Sequence, residues 1–265
     1  MVDVSKYDTA GRFNGLADLY DRYRPDYPDS AIDFIVTRCG LHAGSSVVDV
    51  GCGTGISTRQ LAARGLTVVG IEPNAQMRAV AEAMPVSPGV PSPTYRDGRA
   101  EFTGLPDAFA DLVLAAQAFH WFRYAEALPE FRRMLKPDGW VVLMWNEQNR
   151  NDPFTGAYNE ALKQFSPDPE LAARIQCMTG EHLLASPLFV DGDRVEFPHV
   201  QAIDPEQLLG RAFSASYAPK AAEPHRRLEE ALRELHARHQ HAGTVEMRYR
   251  TVLYLARTAS PSPRR

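Results

Sequence analysis

The sequence predicts an α/β protein with a doubly wound, mostly parallel, seven-stranded sheet and a helical cap. Three observations lead there. Short apolar runs at 47–50, 66–71, 94–97, 111–116 and 140–145 alternate with helical stretches, an order that implies parallel strands joined by right-handed crossovers. The first run, Val47-Val48-Asp49-Val50, passes directly into the glycine-rich turn Gly51-Cys52-Gly53-Thr54-Gly55. After residue 146 the rhythm changes, and a helix followed by a terminal strand suits two late strands joined antiparallel.

Residues 12–38 read as helix in two pieces, broken at Arg24-Pro25-Asp26-Tyr27-Pro28. Pro28 serves the first turn of the second piece, where a missing N–H costs nothing, and Ile32, Phe34, Ile35 and Val36 supply core contacts. Strand 47–50 is followed by helix 56–64, strand 66–71 and helix 74–83, which Pro85 closes. The stretch 85–93 is rich in Pro, Gly and Ser and reads as a loop before strand 94–97. Helix 124–135 leads from strand 111–116 to the turn Lys136-Pro137-Asp138-Gly139 and strand 140–145. Beyond that, 153–184 is mostly helical, 194–203 alternates as a strand, 205–213 and 223–240 are helical, and 245–256 is the last strand. The expected organisation is a ligand-binding domain over 1–146 with amino-terminal cap helices, then a cap insertion and the last two strands over 147–258. Segments 151–192 and 204–221 form the cap, and 259–265 is a frayed, disordered tail.

With 265 residues, 44% apolar and 23% charged, the chain buries a full core and has no disordered character as a whole. The formal net charge of −4 and the lack of a long basic stripe argue against nucleic acid. Arg226, Arg227, Arg233, His236 and Arg238 are interleaved with Glu223, Glu229, Glu230 and Glu234, a solvated helix face. Cys39, Cys52 and Cys177 are odd in number and widely spaced, which suits a reducing compartment. No eighteen-residue apolar run and no leader pattern is present, so the expectation is a soluble, cytoplasmic chain with no membrane partner.

The glycine turn and Glu72 carry the chemistry. Gly51, Gly53 and Gly55 let a ligand approach the backbone where a Cβ would clash. Glu72 lies twenty-one residues beyond Gly51, at the tip of the next strand, where a carboxylate accepts from both hydroxyls of a ribose. A dinucleotide turn needs a third glycine where this chain has Ile56, and no Gly-Lys-Ser/Thr of a P-loop follows. A nucleoside ligand without phosphates therefore fits best. S-adenosylmethionine is such a ligand, with Asp49 or its surroundings meeting the cationic amino-acid end.

The ordered motifs also carry a resemblance. Val47 to Gly55, Gly70-Ile71-Glu72-Pro73, Ala100-Glu101 with Leu105-Pro106, Asp111-Leu112-Val113 and Leu135 to Gly139 resemble those of class I S-adenosylmethionine-dependent methyltransferases, whose fold is Rossmann-like. Gln117-Ala118-Phe119-His120-Trp121-Phe122 and Tyr20…Arg24-Pro25 with Tyr27-Pro28 are similar to the type 11 branch, which includes trans-aconitate methyltransferase-like small-molecule enzymes. The resemblance is strong over residues 10–145. It implies that Gly51, Gly53 and Gly55 pass under the methionine part of the cofactor, that Glu72 binds the ribose and that Pro73 lies against the adenine. It implies further that Ala100 and Glu101 meet the adenine edge, that Gln117 stands beside the sulfonium, and that Tyr20 and Arg24 reach the cofactor carboxylate. Arg99 stands where an aspartate is commoner in the family, so the Ala100 backbone is favoured there. Arg24 has a second reading, as a surface partner of Asp21 or Asp26.

Methyl transfer is an in-line displacement that depends on positioning and on a dry, shaped pocket. Phe119, Trp121 and Phe122 suit pocket walls that favour a sulfonium by cation–π attraction, or ordinary packing. His120 is the titratable candidate for a general base, needed by a phenol, alcohol or acidic carbon but not by an ionised carboxylate. Ser214, Ser216 and Tyr217 are the polar candidates for contact with a small-molecule acceptor. No metal is expected, since the fourth strand ends in Gln117 and the histidines lack ligand spacing. The acceptor atom expected is a carboxyl or hydroxyl oxygen, with carbon or nitrogen as the alternative. A nicotinamide-dependent oxidoreductase is disfavoured by Ile56 and by the lack of a Tyr-x-x-x-Lys pair. A non-catalytic binder of the same cofactor is the remaining alternative.

Overall fold

In the computed structural model, which describes residues 15–168, 179–215 and 217–259, β1 (Ser46–Val50) runs parallel to β2 (Thr67–Ile71) on one side and β4 (Ala110–Ala116) on the other. β3 (Thr94–Arg96) extends the β2 side, and β5 (Leu135–Gln148) extends the β4 side, both parallel. β7 (Val245–Thr258) then pairs antiparallel with β5, and β6 (Phe189–Ile203) pairs antiparallel with β7 at the edge. The seven strands stand in the order β3-β2-β1-β4-β5-β7-β6. Chain order reverses between β1 and β4, so the crossovers on either side leave in opposite directions and open a crevice at the strands' carboxyl ends.

The inner strands read as unbroken apolar runs because both sheet faces are covered. Val48, Val50, Val113, Ala115, Val141 and Leu143 share one buried cluster with Leu128 and Phe131 of α5 (Tyr124–Met134). The alternate residues, Val47, Leu112, Leu114, Val142 and Met144, pack on Ile32 and Ile35 of α2 (Asp29–Arg38) and Leu61 of α3 (Ile56–Ala62). α4 (Ala75–Ala83) starts at Asn74, whose Oδ1 accepts from the N–H groups of Gln76 and Met77. That cap satisfies two orphan donors of the first turn.

The second half adds α6 (Pro153–Phe165), α7 (Glu181–Leu184), α8 (Pro205–Phe213) and α9 (Ala222–His239). α6, α8 and α9 build a separate apolar cluster on the outer ends of β6 and β7, through Phe154, Tyr158, Leu162, Leu208, Leu228, Leu232 and Met247. α1 (Ala17–Tyr23) is fastened to this cap. Tyr23 donates from its hydroxyl to Glu206 at 3.0 Å, and its ring fills the space that a Cβ on Gly210 would need, 2.3 Å away. No helix of the described residues is long and apolar enough to cross a membrane.

The structure departs from the expected boundaries in four places. The turn expected at 136–139 lies within β5: pairing jumps from Ala110↔Leu135 to Leu112↔Trp140, so a bulge with Asp138 at φ +61° absorbs the extra residues. β6 starts at Phe189 rather than 194, because an edge strand exposed over most of its first residues shows no apolar alternation. The expected cap segment 151–192 divides, α6 joining the cap while α7 packs on the sheet through Leu183. β5 runs through Gln148, so a division at 146/147 would cut a strand. The tail from residue 260 onward lies outside the described residues, as does Cys177.

Leu114 is fully buried at the centre of β4. Replacing it with Ala should cost about 2–5 kcal/mol of unfolding free energy, from lost burial and the residual cavity, measured by urea denaturation. A cost under about 1 kcal/mol would contradict the two-sided packing of the sheet.

Candidate active site

Three groups shape the floor of the crevice. Gly51 takes φ +70°, and a Cβ there would lie 2.6 Å from Ala118 Cβ. Gly53 takes φ +57° and donates its N–H to Glu72 Oε2 at 3.0 Å. The other carboxylate oxygen of Glu72, Oε1, accepts from Asn74 N–H at 2.8 Å. Glu72 thus links the glycine turn to the capped start of α4. It is buried to 9% exposure, and that burial raises its pKa above the usual carboxylate value. Each oxygen keeps a further lone pair for a ligand.

One cavity lies over this floor and a second adjoins it. The first, about 320 Å³, is lined by Tyr20, Arg24, Gly51, Gly53, Glu72, Pro73, Met77, Arg99, Ala100, Glu101, Gln117, Ala118, Trp121, Phe122 and Arg211. The second, about 550 Å³, lies between the end of β5 and the cap, against Trp145, Asn146, Glu147, Arg150, Tyr158, Tyr217 and Arg250. Arg24, Gln117 and Arg211 line both and form the wall between them. Gln117 holds φ +54°, a left-handed conformation that is uncommon for a residue with a side chain. Its N–H donates to Met144 O at 2.8 Å, which keeps the end of β4 tied to β5 at that strained point. Arg24 spans from α1 to the cap, its Nε donating to Ser214 Oγ at 3.1 Å and its Nη2 to Ser214 O at 3.3 Å. Neither expected carboxylate, Asp21 or Asp26, is its hydrogen-bond partner here.

The first cavity therefore gathers most of the expected cofactor residues: Tyr20, Arg24, Gly51, Gly53, Glu72, Pro73, Ala100, Glu101 and Gln117. Asp49 and Gly55 do not reach its wall. Asp49 is fully buried beneath the turn, where Oδ2 accepts from Ser57 Oγ at 2.7 Å and Thr58 Oγ1 at 2.6 Å. It ties β1 to the first turn of α3, and burial pushes its pKa up to about 6. Gly55 starts α3 at φ +81° with its α-carbon against Tyr95, whose hydroxyl a Cβ would approach to 2.5 Å.

The loop after β4 divides in an unexpected way. Residues 119–121 form a short 3-10 turn, which aims successive side chains about 120° apart. Phe119 points into the core, 3% exposed, and lines neither cavity. Trp121 and Phe122 line the first cavity. His120 lines neither. Its ring packs on Trp121 at 4.6 Å, its Nδ1 is buried with no hydrogen-bond partner among the described residues, and burial holds its pKa down at about 3. A histidine held that far below neutrality, off both cavities, is a poor general base. Tyr217 lines the second cavity, whereas Ser216 lies outside the described residues.

Sequence reading missed Arg211, Tyr158, Arg150 and Arg250. A signal for Arg211 existed: it stands between Leu208 and Ala212 on the apolar face of a short amphipathic helix, where a cation is out of place.

A parallel sheet continued by an antiparallel pair, with a glycine-turn cavity at its first reversal of strand order, defines the class I methyltransferase fold. Residues 48–143 match the family model for a type 11 methyltransferase domain. The chain is 37% identical over 148 residues to an uncharacterized methyltransferase of Mycobacterium tuberculosis, covering 56% of this chain and 57% of the relative. The chain thus spans little more than half the length of that relative. With an uncharacterized methyltransferase of Schizosaccharomyces pombe it shares 26% identity over 242 residues, 89% of this chain and 92% of the other. A solved structure described as a type II methyltransferase from Anaeromyxobacter dehalogenans superposes with a TM-score of 0.58 at 25% identity, covering 90% of this chain and 98% of that one. Over residues 48–143 the chain is similar to methyltransferase domains, and its sheet has the fold of the S-adenosylmethionine-dependent class. The cavity fits that cofactor on its own evidence, since Gly53 leaves wall space that a Cβ would occupy, 3.4 Å from Met77 Cε. Glu72 beside it offers a carboxylate for a sugar.

His120 also sets a pH dependence. Between about pH 3 and 6.5 the unfolded chain binds a proton at His120 that the folded chain refuses, so acidification through that window removes stability. In His120→Phe the loss of stability between pH 6.5 and about 4 should be shallower than in the wild type, measured by urea unfolding at fixed pH values. Identical slopes would contradict a desolvated, neutral imidazole.

Proposed function

We propose that this chain transfers the methyl group of S-adenosylmethionine to an oxygen, carboxyl or hydroxyl, of a small molecule held in the second cavity. The observation that carries this reading is the pair of cavities that share Gln117, one floored by the glycine turn and Glu72, the other bordered by the cap. When bound, the cofactor supplies an electrophilic methyl carbon on a cationic sulfur.

The residues of the chain would then act as follows. Glu72 accepts hydrogen bonds from the ribose, and Gly53 leaves room for the backbone of the turn to meet the cofactor. Pro73, Ala100 and Glu101 enclose the adenine, while Tyr20 faces the amino-acid end. The aromatic faces of Trp121 and Phe122 favour a cation in the first cavity. Gln117, fixed in its strained conformation, borders both cavities and flanks the point where donor and acceptor would align. No base is required of His120 if the accepting oxygen is already ionised at neutral pH. Rate would come from alignment and exclusion of water, which α1 and the cap provide by roofing both cavities.

Two substitutions test the donor side by calorimetry with S-adenosylhomocysteine. Gly53→Val should abolish binding in a folded protein. Glu72→Ala should lose about 1–3 kcal/mol, the worth of a charge-assisted hydrogen-bonding partner. Unchanged affinity in both variants would overturn the assignment, as would preferential binding of a nicotinamide dinucleotide by the wild type.

A further inference from the structure

Arg211 is a buried cation without a buried anion. Only 7% exposed, it extends from α8 into the wall shared by the two cavities. Its Nε and Nη1 are buried and find no hydrogen-bond acceptor among the described residues. The groups that act on it most are the hydroxyls of Tyr249, Tyr158, Tyr217 and Tyr20, with its guanidinium carbon 5.2 Å from the Tyr249 ring centre. No ion pair with a described carboxylate offsets the loss of solvent. A guanidinium does not shed its proton to escape this, so its charge and open donors persist.

Two other cations that line these cavities differ. Arg24 spends its Nε and Nη2 on Ser214. Arg250 pairs with Glu147 and Glu196, each at 3.6 Å. Arg211 alone among these three combines burial with unfilled donors. Of its four tyrosine neighbours, Tyr158 and Tyr217 line only the second cavity and Tyr20 only the first, so the second cavity holds the larger share.

Resting on the methyl-transfer reading above, we propose that Arg211 anchors a carboxylate of the acceptor. The acceptor is then a small acid whose anchored anionic group is distinct from the oxygen that receives the methyl. The distinction follows from chemistry: a carboxylate held by a guanidinium has its charge offset and its lone pairs engaged, which makes it a weak nucleophile. The anchored group holds the molecule, and a second oxygen faces the donor beside Gln117. Arg211 is thus a specificity residue, selecting acids over neutral compounds of the same shape.

The test uses the full chain saturated with S-adenosylhomocysteine and a panel of benzoate, succinate, glutarate and citrate, each matched by its uncharged amide. Melting temperature is read against ligand concentration for the wild type, Arg211→Gln and Arg211→Lys. The expected result is that at least one acid stabilises the wild type while its amide does not. Arg211→Gln should weaken that acid about 10- to 100-fold and leave S-adenosylhomocysteine affinity within about threefold. Arg211→Lys should retain part of the effect. The wild-type acid–amide comparison stands even if a variant fails to fold. The proposal is overturned if no acid stabilises the wild type, if amides bind as well as acids, or if Arg211→Gln weakens S-adenosylhomocysteine while sparing the acid. That last result would assign the guanidinium to the cofactor's own carboxylate. Failure of the wild type to bind S-adenosylhomocysteine would count instead against the methyl-transfer reading, since acid binding at Arg211 is scored separately.

Discussion

The hydrogen bond from Gly53 N–H to the Glu72 carboxylate is the constraint on which the site depends. It joins the tips of two neighbouring parallel strands just where the chain leaves each for a helix. Glu72 would be a costly residue to bury without it, and the bond from Asn74 N–H completes its compensation. The same two contacts fix the glycine turn and the start of α4, so the crevice between β1 and β4 has a rigid floor before any ligand arrives. Preorganisation of this kind spares a ligand the cost of ordering the backbone.

Around that floor the molecule divides its labour between two cores. The sheet core is filled from both faces by alternate residues of the same strands and holds the strand ends in register. The cap has its own apolar cluster, so its helices are positioned without borrowing the sheet's interior. Tyr23 and Arg24 then bind α1 to α8 through Glu206 and Ser214, which sets two segments far apart in sequence into one roof. The shared wall of Arg24, Gln117 and Arg211 draws on three elements: the end of α1, the end of β4 and the cap. A methyl donor and an acceptor in the two cavities would meet beside these three residues.

Much of this was legible in the sequence. The five parallel strands, the glycine turn and Glu72 announce themselves because strong local rules act there: apolar runs for strands buried on both faces, glycine for left-handed backbone, an acid at a strand tip. The bulge at 136–139 was not, since Pro-Asp-Gly specifies a turn locally and only pairing with Ala110 and Leu112 draws the segment into β5. Phe119 and His120 were misplaced for a related reason. A run of aromatic residues says that a pocket or a core is near, but the 3-10 twist decides which side chain enters which. Arg211 depends on contacts between segments up to 190 residues apart in the wall it shares with Arg24, beyond the reach of spacing arguments.

The central claim is most directly tested by observing the amide resonances of Gly53 and Asn74 in solution while the protein is titrated. S-adenosylhomocysteine should move both resonances together, among the largest changes in the spectrum, because both N–H groups bond the carboxylate that would receive the ribose. A titration that saturates with these two amides unmoved, or that moves them with a nicotinamide dinucleotide instead, would contradict it.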